Sequence, residues 1–171
     1  MGDKGRLREE TENRFKRAKA GGDPFLLEIA NDRDVESDLR AKAILSLSGG
    51  SSEYASAMAA LTRDDDRYVR VAAARKLSEL RDRSSLRAIV RESADPAVVA
   101  WVIHGLAEAE DREMLPLFVD SLTSSDSRIV DAAIAAIRSL AGTVPDSQLR
   151  LAIARTRNPL RRRRLRALRS L

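Results

Sequence analysis

The sequence predicts an all-α protein, an α-solenoid of about five helix pairs preceded by an N-terminal capping helix. Three observations carry this prediction. One helical pattern recurs five times at a spacing of 29 to 31 residues. Each later copy begins at an Asp or Asn that suits a helix N-terminus. The remaining apolar segments lie between the copies and can supply partner helices, because a single helix pair could not bury both of its apolar faces.

The copies align through their apolar positions. The first position holds Leu39, Val69, Val98, Ile129 and Leu160. Four residues on stand Ala43, Ala73, Val102, Ala133 and Arg164, and the next position holds Ile44, Ala74, Ile103, Ile134 and Leu165. Eight residues after the first position stand Leu47, Leu77, Leu106, Ile137 and Leu168. This spacing places one apolar stripe on one helix face, and only Arg164 breaks it.

Before the first copy, residues 3–19 are mostly charged and predict a helix that turns Leu7, Phe15 and Ala18 toward the first repeat. The alternative is a mobile charged tail, which the early glycines and dense charge also allow. We therefore divide the chain into an N-terminal charged helix or tail, residues 1–22, and a repeat domain, residues 23–171.

Within the repeat domain, each copy contains a first and a second helix. The first helices are predicted at Phe25–Ala30, Tyr54–Leu61, Leu86–Val90, Met114–Leu122 and Leu149–Ala154. The second helices carry the aligned columns, and their start signals are Asp66, Asp95 with Pro96, Asp126, and Asn158 with Pro159. Turn signals rich in Gly, Ser and Pro separate the helices.

At this point the sequence resembles the HEAT-repeat family in its short form, similar to the HEAT-like repeats of bilin lyases. The segment from Asp66 through Val69, Arg70 and Ala73 to Leu77 carries the resemblance best. In that family an Arg after the first apolar position often pairs with a loop Asp. Arg40, Arg70 and Arg161 occupy this position, whereas Val99 and Val130 replace it. The resemblance covers about residues 23–171 and implies the fold rather than one function.

Composition narrows the function classes. The chain has no Cys, which fits a cytoplasmic protein and removes thiolate chemistry, and no segment suggests a signal peptide or a membrane span. Residues 150–171 hold nine Arg and no acid, which leaves 22 basic and 26 acidic residues before them. The body therefore carries a charge of −4 and the tail +9, so an acidic partner should approach the C-terminal end.

Signatures of catalysis are weak. Asp64-Asp65-Asp66 lacks the spacing of a calcium loop, and we expect capping and solvation instead. Leu47-Ser-Gly-Gly-Ser51 is similar to the signature loop of ABC ATPases, but no phosphate loop accompanies it, which indicates a flexible turn. His104 is the only histidine, so it cannot form a His pair. We expect no enzyme, no cofactor and no metal.

A binding surface is predicted beside the buried stripe, on the concave side that the HEAT resemblance implies for the second helices. Trp101 and His104 lie three residues apart and should project from one side of a helix. Small apolar residues would leave an open strip around the indole ring, on which an amphipathic or extended segment could lie. The alternative is a packed pair that only fills space. The predicted protein-binding residues are Val99, Ala100, Trp101, His104, Val130 and Ala135.

The C-terminal helix is predicted to add a basic cluster for an acidic partner or phosphate groups, formed by Arg161, Arg162, Arg163, Arg166 and Arg169. The alternative is a solubilising terminal cap. We expect a non-enzymatic adaptor or scaffold that binds a partner protein, with a nucleic-acid-binding solenoid as the second hypothesis. Against nucleic acid stand the acidic body and the absence of aromatic residues within the cluster.

Overall fold

Helices follow one another along the chain in the order that the repeat predicts. The computed structural model describes residues 2–48, 52–140, 147, 150, 153–154 and 159–167, and these contain no strand. The helices are α1 (Gly2–Gly21), α2 (Asp23–Asn31), α3 (Ser37–Ser46), α4 (Ser52–Leu61), α5 (Arg67–Leu80), α6 (Arg83–Glu92), α7 (Pro96–Glu108), α8 (Leu115–Ser121), α9 (Ser127–Ser139) and α10 (Pro159–Ala167). A 3₁₀ turn, Arg112–Met114, precedes α8.

The predicted helix starts are confirmed where the structure describes them. Asp66 accepts a hydrogen bond from the Tyr68 backbone N–H at 2.7 Å at the start of α5. Asp95 accepts from the Ala97 N–H at 2.9 Å, and Asp126 accepts from the Arg128 N–H at the same distance. Each bond satisfies a backbone donor that has no partner within its own helix. The predicted start at Asn158 lies outside the described residues, as do residues 149, 151 and 152 of the predicted first helix at residues 149–154.

The chain forms two compact units, Met1–Leu80 and Arg81–Leu171. In the first unit, α3 packs on α1, α2 and α5, while α4 packs on α5. In the second unit, α7 packs on α6 and α9, and α8 packs on α9. Within each unit a second helix therefore contacts its own first helix and the second helix of a neighbouring copy.

The aligned columns form the cores of both units. Every described member at the second, third and fourth column positions is buried, from Ala43, Ile44 and Leu47 in the first copy to Ala133, Ile134 and Ile137 in the fourth. Their fifth-copy counterparts, Arg164, Leu165 and Leu168, lie outside the described side chains. At the first position Leu39, Val69 and Val98 are buried as well. The periodicity thus identifies the core residues correctly in four copies.

One column member departs from this pattern. Ile129 is only half-buried, whereas its neighbour Val130 is 1% exposed. The buried row of α9 runs through Val130, Ile134 and Ile137, which are four and three residues apart and share a helix face. Ala133 and Ala136 beside this row are buried as well, so the buried face of α9 includes Val130 and leaves Ile129 at its border. The prediction that Val130 belongs to a binding surface is therefore wrong, because its side chain belongs to the core.

The charged N-terminal residues form α1, which packs against α2 and α3. Phe15 and Ala18 are buried, as expected for a helix that covers the first repeat, and the side chain of Leu7 lies outside the described residues. Arg14 reaches from α1 to Asp32 at 2.5 Å and to Glu28 at 3.3 Å. Helix α1 is therefore attached by apolar contacts on one face and by ion pairs beside it.

Candidate functional site

The Trp101 and His104 side chains form the centre of the candidate surface on α7. Asp95 and Pro96 fix the start of this helix and hence its register. The two rings meet edge to face, with 5.9 Å between their centroids and an interplanar angle of 81°. This geometry is favourable for aromatic pairs. Trp101 is half-buried and His104 is exposed, so part of the surface of both side chains is accessible to solvent.

Small and apolar residues accompany this pair. Val99 and Ala100 on α7 are half-buried, and Ala135 on the adjacent α9 is exposed. Ala135 occupies the repeat position of His104, since the two lie 31 residues apart on helices that pack together. Of the six predicted protein-binding residues, the structure leaves five accessible in whole or in part and buries Val130.

Charged side chains of both signs lie along the same two helices. Asp131 and Arg138 are exposed on α9, one turn to either side of Ala135. Glu108 lies one turn beyond His104 and pairs with Arg81 at 3.0 Å. An apolar centre with a mixed polar border is the usual anatomy of a protein–protein interface.

At the start of α9, Asp126 combines two tasks. Its carboxylate caps the helix and also binds the Arg128 guanidinium, with 2.7 Å between Nη2 and Oδ2. The hydrogen bond from the Arg128 side chain, which outweighs burial, lowers the pKa of Asp126 to about 2. This end of α9 is thus fixed by a charge-assisted contact at neutral pH.

The basic helix α10 presents part of the predicted Arg cluster. Arg163 and Arg166 are exposed, and Arg162 is half-buried. Arg162 and Arg166 are four residues apart and share a helix face. The Arg161 side chain and Arg169 lie outside the described residues.

The structure contains a series of ion pairs that the sequence indicated only in part. Arg40 donates to Asp64 at 2.6 and 3.3 Å and also to the Ala30 carbonyl at 3.0 Å. The side chains of Arg40 and Asp64 are only 6% and 5% exposed, so this pair links two copies inside the first unit. Arg70, at the same repeat position as Arg40, donates to the backbone carbonyls of Asp64 and Asp65.

The side chain that accepts a hydrogen bond in the loop before each second helix determines where an arginine–aspartate pair can form. In four copies, a side-chain oxygen in the loop before the second helix accepts the backbone N–H two residues further on, at distances of 2.9 to 3.3 Å. In the second to fourth copies that N–H belongs to the helix cap, whereas in the first copy it belongs to Asp34, two residues before the cap Glu36. The acceptors are Asp32, Asp64, Ser93 and Ser124. Aspartate can hold the loop and also receive an arginine, whereas serine can only hold the loop. Val99 stands at the repeat position of Arg40, and Ser124 stands at that of Asp64. These two replacements are consistent with each other, because an arginine or an aspartate alone would lack its ion-pair partner.

A different pair replaces this interaction in the second unit. The Arg87 guanidinium binds Asp111 through two hydrogen bonds of 2.6 Å each and also contacts Glu113 at 2.8 Å. Arg87 lies on α6, outside the aligned columns of the second helices, so periodicity gave no signal for it. The hydrogen bonds from Arg87, opposed by burial, lower the pKa of Asp111.

The acidic run at residues 64–66 is fully accounted for by these contacts. Asp66 caps α5 as predicted, and Asp65 forms an exposed ion pair with Arg33 at 3.1 Å. Asp64 is buried against Arg40 rather than solvated, which corrects the sequence-based interpretation of this residue. Within the described part of the chain, no group of three His, Asp or Glu side chains is arranged to hold a metal ion.

Comparison of the chain with models of protein families, with curated proteins and with solved structures found no match. Among the helices that the structure describes, none combines the length and the apolar character that crossing a membrane requires.

Proposed function

We propose that this protein is a short HEAT-like α-solenoid that acts as a non-enzymatic cytoplasmic adaptor. Its helix pairs would stack so that the second helices share one binding side. The burial of equivalent columns in α3, α5, α7 and α9 supports the repeat, as does the contact of second helices with one another within each unit. Such an array presents a rigid surface without needing a catalytic group.

The observation that carries the binding proposal is the Trp101–His104 pair. A tryptophan that is half-buried can contribute a large apolar area without first losing much side-chain freedom, and such residues dominate interface energies. Ala100 and Ala135 are small and would leave room beside the rings for a partner's apolar side chains, and Val99 would extend the apolar area along α7. The partner we propose is an amphipathic or extended protein segment with acidic residues.

The Arg-rich helix α10 would act differently from this apolar centre. Arg163 and Arg166 are exposed and cannot supply much apolar contact. Their charge would instead orient an acidic partner and accelerate its approach. Affinity would therefore depend mainly on the α7–α9 surface, and association rate mainly on α10.

The test begins with affinity capture of partners from cell extract by the wild-type protein, with and without nuclease. Binding of a recovered protein is then compared between wild type and Trp101→Ala. We expect the variant to bind about 30-fold or more weakly, because loss of an anchoring aromatic costs about 2 kcal/mol or more. Trp101 is also the chain's only tryptophan, so a change in its fluorescence on binding reports this position in the wild-type protein.

Tyr68→Ala is the matched control, since Tyr68 is an aromatic residue that is 72% exposed on α5. We expect this variant to bind like wild type. Unchanged affinity in a correctly folded Trp101→Ala variant would remove Trp101 from the site. Recovery of no protein partner, or of partners only in the absence of nuclease, would count against the adaptor.

A nucleic-acid-binding solenoid is the second candidate, and the observation that favours it is the exposure of Arg163 and Arg166 on a helix within an acid-free terminal segment. Phosphate binding by such a cluster would weaken steeply as salt concentration rises. Binding to unrelated DNA duplexes with a steep salt dependence, abolished by Arg163→Gln with Arg166→Gln, would support this candidate over the adaptor.

A further inference from the structure

A cleft of about 510 Å³ lies between α1 and α3 in the first unit, away from the Trp101 helix. Its lining residues are Glu12, Phe15, Lys16, Lys19, Ala20 and Lys42. The volume falls in the range of small-molecule sites. Three of the six lining side chains carry a positive charge, and one carries a negative charge.

The ammonium group of Lys42 is held in a defined position. It lies 4.7 Å from the centroid of the Phe15 ring, which is itself buried. This cation–π contact attracts the ammonium to the ring face. Lys42 is therefore positioned over an apolar surface before any ligand arrives, which reduces the entropy that binding has to overcome.

The positive charges in this cleft exceed the negative ones, because Glu12 is the single carboxylate among its lining residues. Within the described residues, no carboxylate lies within 4 Å of the ammonium groups of Lys16, Lys19 or Lys42. Lys16 and Lys19 are also one helical turn apart, where like charges repel each other. On the neighbouring side of α1, by contrast, Arg14 is paired with both Glu28 and Asp32. The lysines of the cleft therefore lack the close carboxylate partners that Arg14 has.

We propose that this cleft binds a multivalent oxyanion, with phosphate groups as the favoured class. Lysine ammonium groups bind phosphate oxygens as compact point charges, and several of them are needed for a multiply charged group. A bound oxyanion would offset the repulsion between Lys16 and Lys19 and would neutralise the charge of Lys42. Phe15 and Ala20 would contact any apolar portion of an organic phosphate. This site is independent of the α7–α9 surface.

The test uses the full chain, labelled with ¹⁵N, and inorganic tripolyphosphate as the probe at constant ionic strength. We expect saturable shifts of the backbone amide resonances around Lys16, Lys19 and Lys42. A parallel titration with citrate identifies the source of the oxyanion: a stronger response to tripolyphosphate assigns phosphate, and a stronger response to citrate assigns carboxylate.

Lys16→Ala and Lys42→Ala should each weaken this binding about tenfold, which corresponds to about 1.4 kcal/mol. Arg67→Ala is the matched control, because it removes one positive charge from an exposed residue of the same unit outside the cleft. It should leave the affinity unchanged. The proposal is overturned if neither anion produces saturable shifts there, if the shifts lie only elsewhere, or if Arg67→Ala weakens binding as much as Lys16→Ala does.

Discussion

At the scale of single residues, three consecutive aspartates show how position decides the energetic role of a charge. Asp64 is buried against Arg40, Asp65 faces solvent beside Arg33, and Asp66 caps α5. Breaking a buried pair leaves an uncompensated charge and costs about 3–5 kcal/mol. Exposed pairs contribute about 0–1 kcal/mol, because water and salt screen them. Adjacent aspartates in this run therefore differ severalfold in what each contributes to the free energy of unfolding.

This contrast gives a direct prediction. Asp64→Ala should lower the free energy of unfolding by about 3–5 kcal/mol, since Arg40 remains buried without its carboxylate. Asp65→Ala should lower it by less than about 1 kcal/mol, since its side chain is 88% exposed. Urea unfolding of both variants measures the difference. Equal effects of the two substitutions would show that the Arg40–Asp64 pair does not hold the copies together.

Two non-glycine residues adopt the left-handed backbone region at equivalent helix ends. Arg81 follows α5 with φ of 54°, and Glu110 lies just beyond α7 with φ of 52°. This conformation costs a residue with a Cβ about 1–2 kcal/mol. Glycine is the usual residue at such helix ends. Gly22 after α1 also has a positive φ, of 96°, but its ψ of −175° lies outside the left-handed helical region.

Glu110→Gly should therefore stabilise the protein by about 0.5–1 kcal/mol, the relief of strain being partly offset by the greater freedom of glycine in the unfolded chain. Ala109→Gly is the control, because Ala109 has a φ of −79° and gains nothing from glycine. We expect that control to be neutral or destabilising. A shift of the urea midpoint is the measurement, and destabilisation by Glu110→Gly would contradict the prediction.

At the scale of helices, the sequence predicted most of the elements and their buried faces. The 3.6-residue periodicity placed Val69, Ala73 and Leu77 correctly because each position serves the same packing role in successive copies. It failed at Val130, because two adjacent apolar residues leave the rotation of α9 open and packing then decides. It also gave no sign of Arg87 and Asp111, since such a pair occurs once among the copies that the structure describes.

The Trp101–His104 pair was predictable in a similar, limited way. Their spacing placed both rings on one side of α7, and the structure confirms their contact. Which neighbours stay accessible could not be derived from spacing, because accessibility depends on the packing of α7 against α9. The lysine cleft between α1 and α3 could not be predicted from the sequence either, since Lys16 and Lys42 are far apart along the chain.

The Arg87–Asp111 interaction links α6 to the segment after α7 and should make stability depend on pH. Because the pKa of Asp111 is lower in the folded protein than its ordinary value of 3.8, its contribution is present at neutral pH. It is lost as pH falls below the unfolded value and through the folded one. Unfolding free energy should therefore be nearly constant above about pH 5 and decrease below about pH 4.

Asp111→Asn should reduce this acid-side slope and lower stability at neutral pH. Arg87→Met should reduce the slope as well, because it removes the guanidinium that favours the ionised carboxylate. Urea unfolding at several pH values between about 2 and 7 measures the slope. A slope that is the same in wild type and both variants would show that this pair does not couple stability to pH.

At the scale of the whole molecule, charge and apolar surface are distributed unequally. The segment 150–171 carries nine Arg without an acid, while the rest of the chain has 22 basic and 26 acidic residues. The Trp101–His104 pair lies on α7, within the second unit. In the proposed adaptor these two features would therefore govern different steps of binding.

This separation predicts distinct kinetic effects on a captured acidic partner. Replacing Arg163 and Arg166 by Gln should lower the association rate constant and its salt dependence, because it reduces electrostatic attraction. Trp101→Ala should mainly raise the dissociation rate constant, because short-range contacts are lost. Surface plasmon resonance at two salt concentrations distinguishes these effects. Identical changes in both rate constants for both variants would contradict the division of roles.

The Arg40–Asp64 pair has a consequence for how the first unit can change in length. Both partners lie within one repeat period, and each end of the pair belongs to a different copy. A duplicated segment of residues 35–64, which spans one period and is inserted after Asp64, would bring its own arginine and its own aspartate. Gene duplication or design could therefore extend this unit by whole repeats without leaving a buried charge unpaired, whereas an insertion between Arg40 and Asp64 would separate the two partners.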